Sequence, residues 1–420
     1  MAPRLPWCAW LVIQTAICNA VPGLATVTVT RASLASEPPG VTMAELRKRL
    51  GPVITAISRQ HNVSYSVGIR TAAGAITVTA GANDIAPSPD RHHHGNTASK
   101  MTAAGRFPMG SVTKSFTACQ VMQAHERGRI DIDAPFAPYV DKILTRLNGT
   151  TLAQLWDGDP LVHNITARLL MGMRAGLHDY DDGAYAAWTY SHVGSDWTPF
   201  DILHALNKTW VCGRPGGCEA YASPGYVLLG LALCQIQNCS RYDQLDQMAV
   251  LPGKVRGKYK GLAFPENGPC SADPKIVHQY ALKVDDSPGQ GTVATHFDIS
   301  KYSCLNGWAC GNIAASVGDV AEWFWDIFHG EIVSPNSLKQ MLNFVPLKKG
   351  WSPGLRYGLG MMHWEMGSRV DPDNLTWTFG HGGADWGSLA RGCRGVQSHL
   401  QLQRGDGHQH GLWHELYGRV

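Results

Sequence analysis

Ser111, Lys114, Tyr221, Ser223 and His381 have residue types and spacings that could work together, and the chemistry would be acyl transfer. Ser111-Val112-Thr113-Lys114 is a Ser-x-x-Lys. Residues three apart share one helix face, so the Lys114 ammonium can reach the Ser111 hydroxyl. A serine hydroxyl is a weak nucleophile until a base takes its proton. Desolvation of a buried lysine favours its neutral form, which can act as that base. Tyr221-Ala222-Ser223 offers a phenol that could share the proton with Lys114. Gly380-His381-Gly382-Gly383-Ala384 offers a backbone edge with little side-chain bulk. His381 could bind a substrate carboxylate or polarise a leaving group, and an N–H near Gly383-Ala384 could hold an oxyanion together with the Ser111 N–H.

Each stretch alone is weak. Ser-x-x-Lys commonly marks a helix cap beside a solvated lysine. A tyrosine before a helix usually packs, and His in a glycine run usually marks a turn. Their combination and order carry the signal.

The elements that must position them read as follows. The segment 107–128, FPMGSVTKSFTACQVMQAHERG, is a helix entered through Gly110 and Ser111 and stopped near Gly128, with Val112, Phe116, Cys119 and Met122 at helical spacing. Met43 to Gln60 carries a stripe of Leu46, Leu50, Ile54 and Ile57 and reads as a packing helix. Ser64–Thr71 and Ala75–Ala80 read as a hairpin turning near Ala73-Gly74. A helix begins near Asn164 and ends near Gly176-Leu177. An apolar helix follows Ser223, another spans Val320–Phe328, and Tyr357–Met361 reads as a strand. Residues 81–105 read as a polar loop in which His92-His93-His94 are solvated, and Asp179-Tyr180-Asp181-Asp182 as a solvated acidic loop. Lys254 to Thr295 reads as loop or lid.

The chain has 420 residues and a formal net charge of +3, with no basic block, which does not suggest nucleic acid. Such a length buries a large core in one or two domains. Arg4, the apolar run Trp7–Val21 and small residues at Gly23 and Ala25 have the layout of a secretory leader cleaved after Ala20 or Ala25. No later apolar run is long enough to span a membrane. Asn-x-Ser/Thr acceptors begin at Asn62, Asn148, Asn164, Asn207, Asn238 and Asn374. Cys212/Cys218, Cys234/Cys239 and Cys304/Cys310 are close pairs that suit disulfides in an oxidising compartment. Cys119 reads as a buried thiol, and Cys270 and Cys393 have no obvious partner. The expected location is secreted, or the lumen of the secretory pathway. No Cys/His grouping has zinc spacing.

Taken together, Ser-x-x-Lys, Tyr-x-Ser and His-x-Gly, with the GRIDIDAP strip, ITARLLMGMRAGL, YASPGYVLLG, YGLGM and FGHGG in order, resemble the serine β-lactamase/D,D-peptidase-like superfamily. The likeness is to its branch of class C β-lactamases, D-aminopeptidases and esterases, over about residues 43–390. The resemblance implies an α/β fold in which helices sandwich an antiparallel sheet. Residues 43–110 and 296–390 would form the α/β part, and 111–295 a mainly helical insertion. It implies Ser111 as acylated nucleophile, Lys114 and Tyr221 as proton carriers, and Ser223 where many members have Asn. His381, Gly382, Gly383 and Ala384 would line the substrate and oxyanion side. His381 stands where β-lactamases and peptidases usually have Lys, which points away from β-lactams and towards esters or peptide-like amides. No cofactor is implied, and the partner is a small-molecule or peptide substrate. A β-lactamase or penicillin-binding carboxypeptidase, and a catalytically silent scaffold, are the rival readings.

Residues 391–420 depart from that pattern. The family usually follows its third motif with two apolar strands, and Ser388 to Val420 shows little apolar alternation. The expectation is an altered C-terminus that leaves the sheet edge beside His381 unsupported.

Overall fold

A computed structural model describes residues 13–15, 42–61, 64–82, 100–180, 185, 188–189, 191–285, 293–350, 354–365, 376–385 and 388–397. His92–His94 and Asn374 lie outside them. In chain order the elements that build the site are β1 (Ile13–Thr15), α1 (Met43–His61), β2 (Tyr65–Thr71), β3 (Gly74–Ala80), β4 (Phe107–Pro108), α2 (Thr113–Glu126), α3 (Ala137–Asn148), α4 (Ala167–Met171) and α5 (Pro224–Gln237). They continue with β5 (Leu262–Ala263), β6 (Tyr280–Asp285), β7 (Val293–Asp298), β8 (Ala314–Ala315), α6 (Val317–Phe328), β9 (Val345–Pro346), β10 (Arg356–Tyr357), β11 (Met362–Glu365), β12 (Thr376–Asp385) and β13 (Ser388–Gln397).

The main sheet has the order β3-β2-β1-β13-β12-β11-β10-β9. All its neighbours are antiparallel except β1, which runs parallel to both β2 and β13. The sandwich can be derived from the alternation of β2. Tyr65 and Val67 point to one face, where they bury with Leu50 and Ile54 of α1. Gly68 and Arg70 point to the other face. A Cβ on Gly68 would lie 2.3 Å from the Val317 carbonyl oxygen, and Arg70 donates to Glu322 at 2.7 Å, both on α6. One strand thus carries a helix on each face, as its period of two requires. Each fully buried Leu or Ile in these contacts contributes roughly 1.5–3 kcal/mol.

The helices between residues 111 and 295 pack around α2 and α5. Both are buried along most of their length on every side, which is the signature of core helices rather than surface ones. Pro224 starts α5 at a position where its missing N–H is harmless, and Asn238 ends it in the left-handed conformation at φ 60°. A small second sheet, β4-β8-β5, fixes the approach to Ser111: Phe107 pairs with Ala315 and Pro108 with Ala314.

Several expectations change. Ser388–Gln397 forms a full strand, paired with β12 from Ser388↔Asp385 to Gln397↔Thr376. Its residues alternate poorly, but the backbone of β12 supplies the pairing that side chains do not announce. The edge beside His381 is therefore supported on that side. Ile13–Thr15, inside the segment read as a leader, occupies the seam between β2 and β13. Lys254–Thr295 is more than loop, because Tyr280–Asp285 and Val293–Asp298 form a hairpin.

The cysteine pairing also differs. Cys212–Cys218 is a disulfide, with Cα atoms 5.7 Å apart. Cys304 pairs with Cys270 rather than Cys310, at a Cα separation of 4.6 Å. The bridge between Pro269 and Ser303 aligns those two segments, whereas Cys310 is buried and donates to the Gly307 carbonyl at 3.0 Å. Cys234 and Cys239 meet as thiols at the end of α5 without a disulfide, and Cys119 is a buried thiol.

Candidate active site

Gly110 to Lys114 makes the transition from strand to helix. Gly110 takes φ +51°, which glycine adopts without Cβ strain, and Gly110–Val112 forms a single 3-10 turn before α2. Thr113 locks the turn: its hydroxyl donates to the Gly110 carbonyl at 2.7 Å and accepts the Ile313 N–H at 2.9 Å. Ser111 ends half-buried at the helix entry, and Lys114, one turn further, is wholly buried. The Lys114 Nζ donates to Ser111 Oγ at 2.8 Å and to the Cys310 carbonyl at 3.0 Å. The serine hydroxyl is thus in direct contact with a nitrogen able to exchange its proton.

Tyr221 arrives from the other side. Its N–H donates to the Lys349 carbonyl at 3.0 Å, which ties the motif to residues just before β10. Its ring centroid lies 5.1 Å from Lys114 Nζ, and that of Tyr226, on α5, lies 5.7 Å away. The Tyr226 hydroxyl donates to the Met171 carbonyl at 2.8 Å. Burial raises the Tyr226 hydroxyl well above the ordinary phenol value, so it stays protonated.

The glycines of β12 explain how the strand reaches Ser111. A Cβ on Gly383 would lie 1.9 Å from the Met109 carbonyl oxygen and 2.8 Å from the Ser111 nitrogen. One on Gly110 would lie 2.1 Å from the Ala384 carbonyl oxygen. Only residues without side chains let these two backbones meet, and this brings the backbone of Ala384, an exposed residue, to the Gly110–Ser111 turn. The Ser111 N–H lies at the positive end of α2, where partial positive charge favours a developing anion.

His381 is wholly buried and lies on the same face of β12 as Gly383. Its Nδ1 lies 2.5 Å from the Gly382 carbonyl, so Nδ1 carries the proton, and Nε2 accepts from the Tyr357 hydroxyl at 2.8 Å. Burial, and secondly the Lys114 charge, push its pKa down to about 3, so the ring is neutral. In this position it orients Tyr357 and offers no cation to a substrate carboxylate.

The Ser223 N–H donates to Asp179 Oδ1 at 3.1 Å, and its hydroxyl donates to Oδ2 at 3.4 Å. The sequence places Asp179 in a solvated loop and misses this contact, because the partner is 44 residues away. Asp179 keeps an exposed surface although protein surrounds most of it. Those surroundings raise its carboxyl above the ordinary range, against the Lys114 charge and the donors from Ser223 and Tyr180.

Comparison with known proteins gives the frame a family. Residues 74–396 match the family described as Beta-lactamase. The chain belongs to the beta-lactamase family. Among solved structures, the fold resembles a D-stereospecific amidohydrolase from Streptomyces sp., at 20% identity and TM-score 0.57, over 78% of this chain and 83% of that one. It also resembles the D-amino acid amidase of Ochrobactrum anthropi SV3, at 19% identity and TM-score 0.59, over 81% and 85%. A penicillin binding protein from Bacillus halodurans is similar at 14% identity and TM-score 0.54, over 80% and 88%. At these identities the likeness is one of fold. Within this beta-lactamase-family chain, no group of three or more His, Cys, Asp or Glu side chains among the described residues is arranged to hold a metal ion.

Proposed function

We propose that the protein is a serine hydrolase that cleaves an ester or peptide-like amide through an acyl-enzyme on Ser111. The observation that carries the reading is the 2.8 Å contact between Lys114 Nζ and Ser111 Oγ at the start of a buried helix. Ser111 Oγ attacks the carbonyl carbon, and its proton passes to Lys114, in its neutral form, with Tyr221 as second carrier. The carbonyl oxygen becomes an oxyanion held by the N–H groups of Ser111 and Ala384. Collapse expels the leaving group, which takes the proton, and leaves an acyl ester on Ser111. Water then repeats the steps in reverse order and releases the acid. This use of the residues follows the family pattern, and the amide class is that named for the amidase and amidohydrolase structures.

The buried, neutral His381 favours esters and amides without a carboxylate requirement over β-lactams. The disulfides Cys212–Cys218 and Cys270–Cys304 support an oxidising, secretory location, and Asn164, Asn207 and Asn238 are exposed as glycan acceptors need to be. Labelling the secreted protein with a fluorophosphonate and mapping the adduct tests the nucleophile. An adduct on Ser111 is expected. A folded protein that takes no label, or takes it elsewhere, would return the scaffold reading to first place, and turnover of a chromogenic cephalosporin would return the β-lactamase reading.

A further inference from the structure

Tyr357 is a buried phenol at the end of β10 that the hydrolytic steps leave unused. Its hydroxyl donates to His381 Nε2 at 2.8 Å, and the two rings meet edge to face with centroids 5.6 Å apart. His381 Nδ1 is committed to the Gly382 carbonyl, so Nε2 is the nitrogen left to accept. A hydrogen bond at the tip of a phenol fixes the direction in which the ring points. Here it ties β10 to β12, the strand whose Gly383 packs against the Met109 carbonyl and the Ser111 nitrogen.

Tyr357 also bears on Tyr221. Their rings lie edge to face, with 6.1 Å between centroids and 80° between planes. The Tyr221 ring in turn lies 5.1 Å from Lys114 Nζ, and that nitrogen touches Ser111 Oγ at 2.8 Å. Three contacts in series thus run from His381 to the lysine. The backbone of Tyr221 is held by the same hairpin. Tyr357 pairs with Val345 of β9, the Leu347 N–H donates to the Leu355 carbonyl at 2.8 Å, and the Lys349 carbonyl accepts the Tyr221 N–H at 3.0 Å. A Cβ on the next residue, Gly350, would lie 3.0 Å from the Tyr221 Cβ. These backbone contacts fix where the Tyr221 side chain starts. Its χ1 decides where the hydroxyl ends, and a neighbouring ring packed against it selects one well. The Tyr357 hydroxyl also interacts with that of Tyr226, whose ring lies 5.7 Å from Lys114 Nζ. Tyr226 is therefore a second route by which a change at Tyr357 could reach the lysine.

We propose that Tyr357, held in place by His381, is a positioning residue for Tyr221. Its ring keeps the Tyr221 phenol over Lys114, where it can share the Ser111 proton, and neither Tyr357 nor His381 needs to touch the substrate. The proposal rests on the hydrolase reading for its effect on turnover, but the placement of the Tyr221 ring does not need catalysis. Misplacing a proton carrier by a fraction of an ångström slows the chemical step without weakening substrate binding.

The test has two arms on the full chain. The first is a double-mutant cycle of Tyr357→Phe and Tyr221→Phe, read on p-nitrophenyl butyrate. Tyr357→Phe keeps the ring and removes the bond to His381. It should lower kcat and kcat/KM together by about tenfold, whereas in the Tyr221→Phe background it should cost less than about twofold. His381→Leu, which has no acceptor, should match Tyr357→Phe, and His381→Gln, which keeps one, should lose less. Equal losses in both backgrounds would mean that Tyr357 acts through Tyr226 or the fold and would overturn the proposal. So would a raised KM at constant kcat, or no loss at all. If Tyr357→Phe does not fold, His381→Leu takes its place in the cycle. If Tyr221→Phe keeps full turnover, the proton-carrier role and the proposal fail together while the Ser111 hydrolase stands. The second arm needs no turnover. In protein labelled with 3-fluorotyrosine, the Tyr221 fluorine signal is assigned by its loss in Tyr221→Phe. It should shift or broaden in His381→Leu, a change that reaches Tyr221 through Tyr357. An unmoved signal overturns the positioning whatever the activity. If no ester is hydrolysed and the signal moves, the hydrolase reading fails and the placement of Tyr221 by Tyr357 stands.

Discussion

Lys114 at the entry of α2 and His381 on β12 are both wholly buried basic side chains, and the charge of the first helps to keep the second neutral. They are turned to opposite uses. The Lys114 side chain projects along the helix face that carries Ser111, and its nitrogen touches the Ser111 hydroxyl. The ring of His381 is held by Tyr357 and by the carbonyl of the next residue. What β12 contributes at the front is backbone, through Gly383 and Ala384. The helix region supplies functional groups through side chains, and the strand region supplies them through their absence. Residue identity therefore predicts a role on α2, whereas on β12 the role depends on what buries the side chain.

The largest expected effect breaks the helix side. Ser111→Ala should lower kcat/KM by about a thousandfold or more on any ester the protein cleaves, with an unchanged melting curve. Turnover that survives would remove Ser111 as the nucleophile. Gly383→Ala breaks the strand side. Its Cβ would enter the space of the Met109 carbonyl, which is backbone and cannot swing away. We expect a destabilisation on the order of 1–3 kcal/mol in urea unfolding, with a loss of activity beyond what the unfolded fraction explains. Wild-type stability and activity in that variant would show that β12 stands off from the Ser111 turn.

Lys114→Met sharpens the contrast by separating chemistry from packing. Methionine fills a similar volume without a charge to desolvate, so thermal stability should hold or rise while turnover falls at least about a hundredfold. A large loss of stability with modest loss of turnover would make Lys114 a structural cation.

Much of this arrangement can be read in the sequence, and the exceptions share a cause. The entry helix, the α1 stripe and the β2–β3 hairpin follow from periodicity and glycine placement, which act over a few residues. The inward contact of Asp179 with Ser223, and the disulfide from Cys270 to Cys304, join segments 44 and 34 residues apart, where spacing carries no information. Strand β13 has poor alternation, because its pairing is backbone to backbone along β12. The outcome for His381 is of the same kind. Its residue type suggests a titrating group, and only the tertiary burial that surrounds it makes it neutral.

That burial has a consequence for acid stability, the smallest of the expected effects. His381 has a folded pKa of about 3, below the unfolded value near 6.5. Between those values the unfolded chain binds a proton that the folded chain refuses, so stability falls as the pH drops from about 6.5 towards 3. His363, lowered to about 4 mainly by burial and secondly by the Arg356 charge, adds in the same direction over a shorter range. Each such group steepens the loss by up to about 1.4 kcal/mol per pH unit. His381→Gln keeps a polar partner for Tyr357 and removes the titration. In urea unfolding between pH 6.5 and 4.5, the variant should therefore lose less stability per pH unit than the wild type, by an amount approaching that figure. Parallel pH dependences would mean that His381 is hydrated and titrates in the folded protein as in the unfolded one.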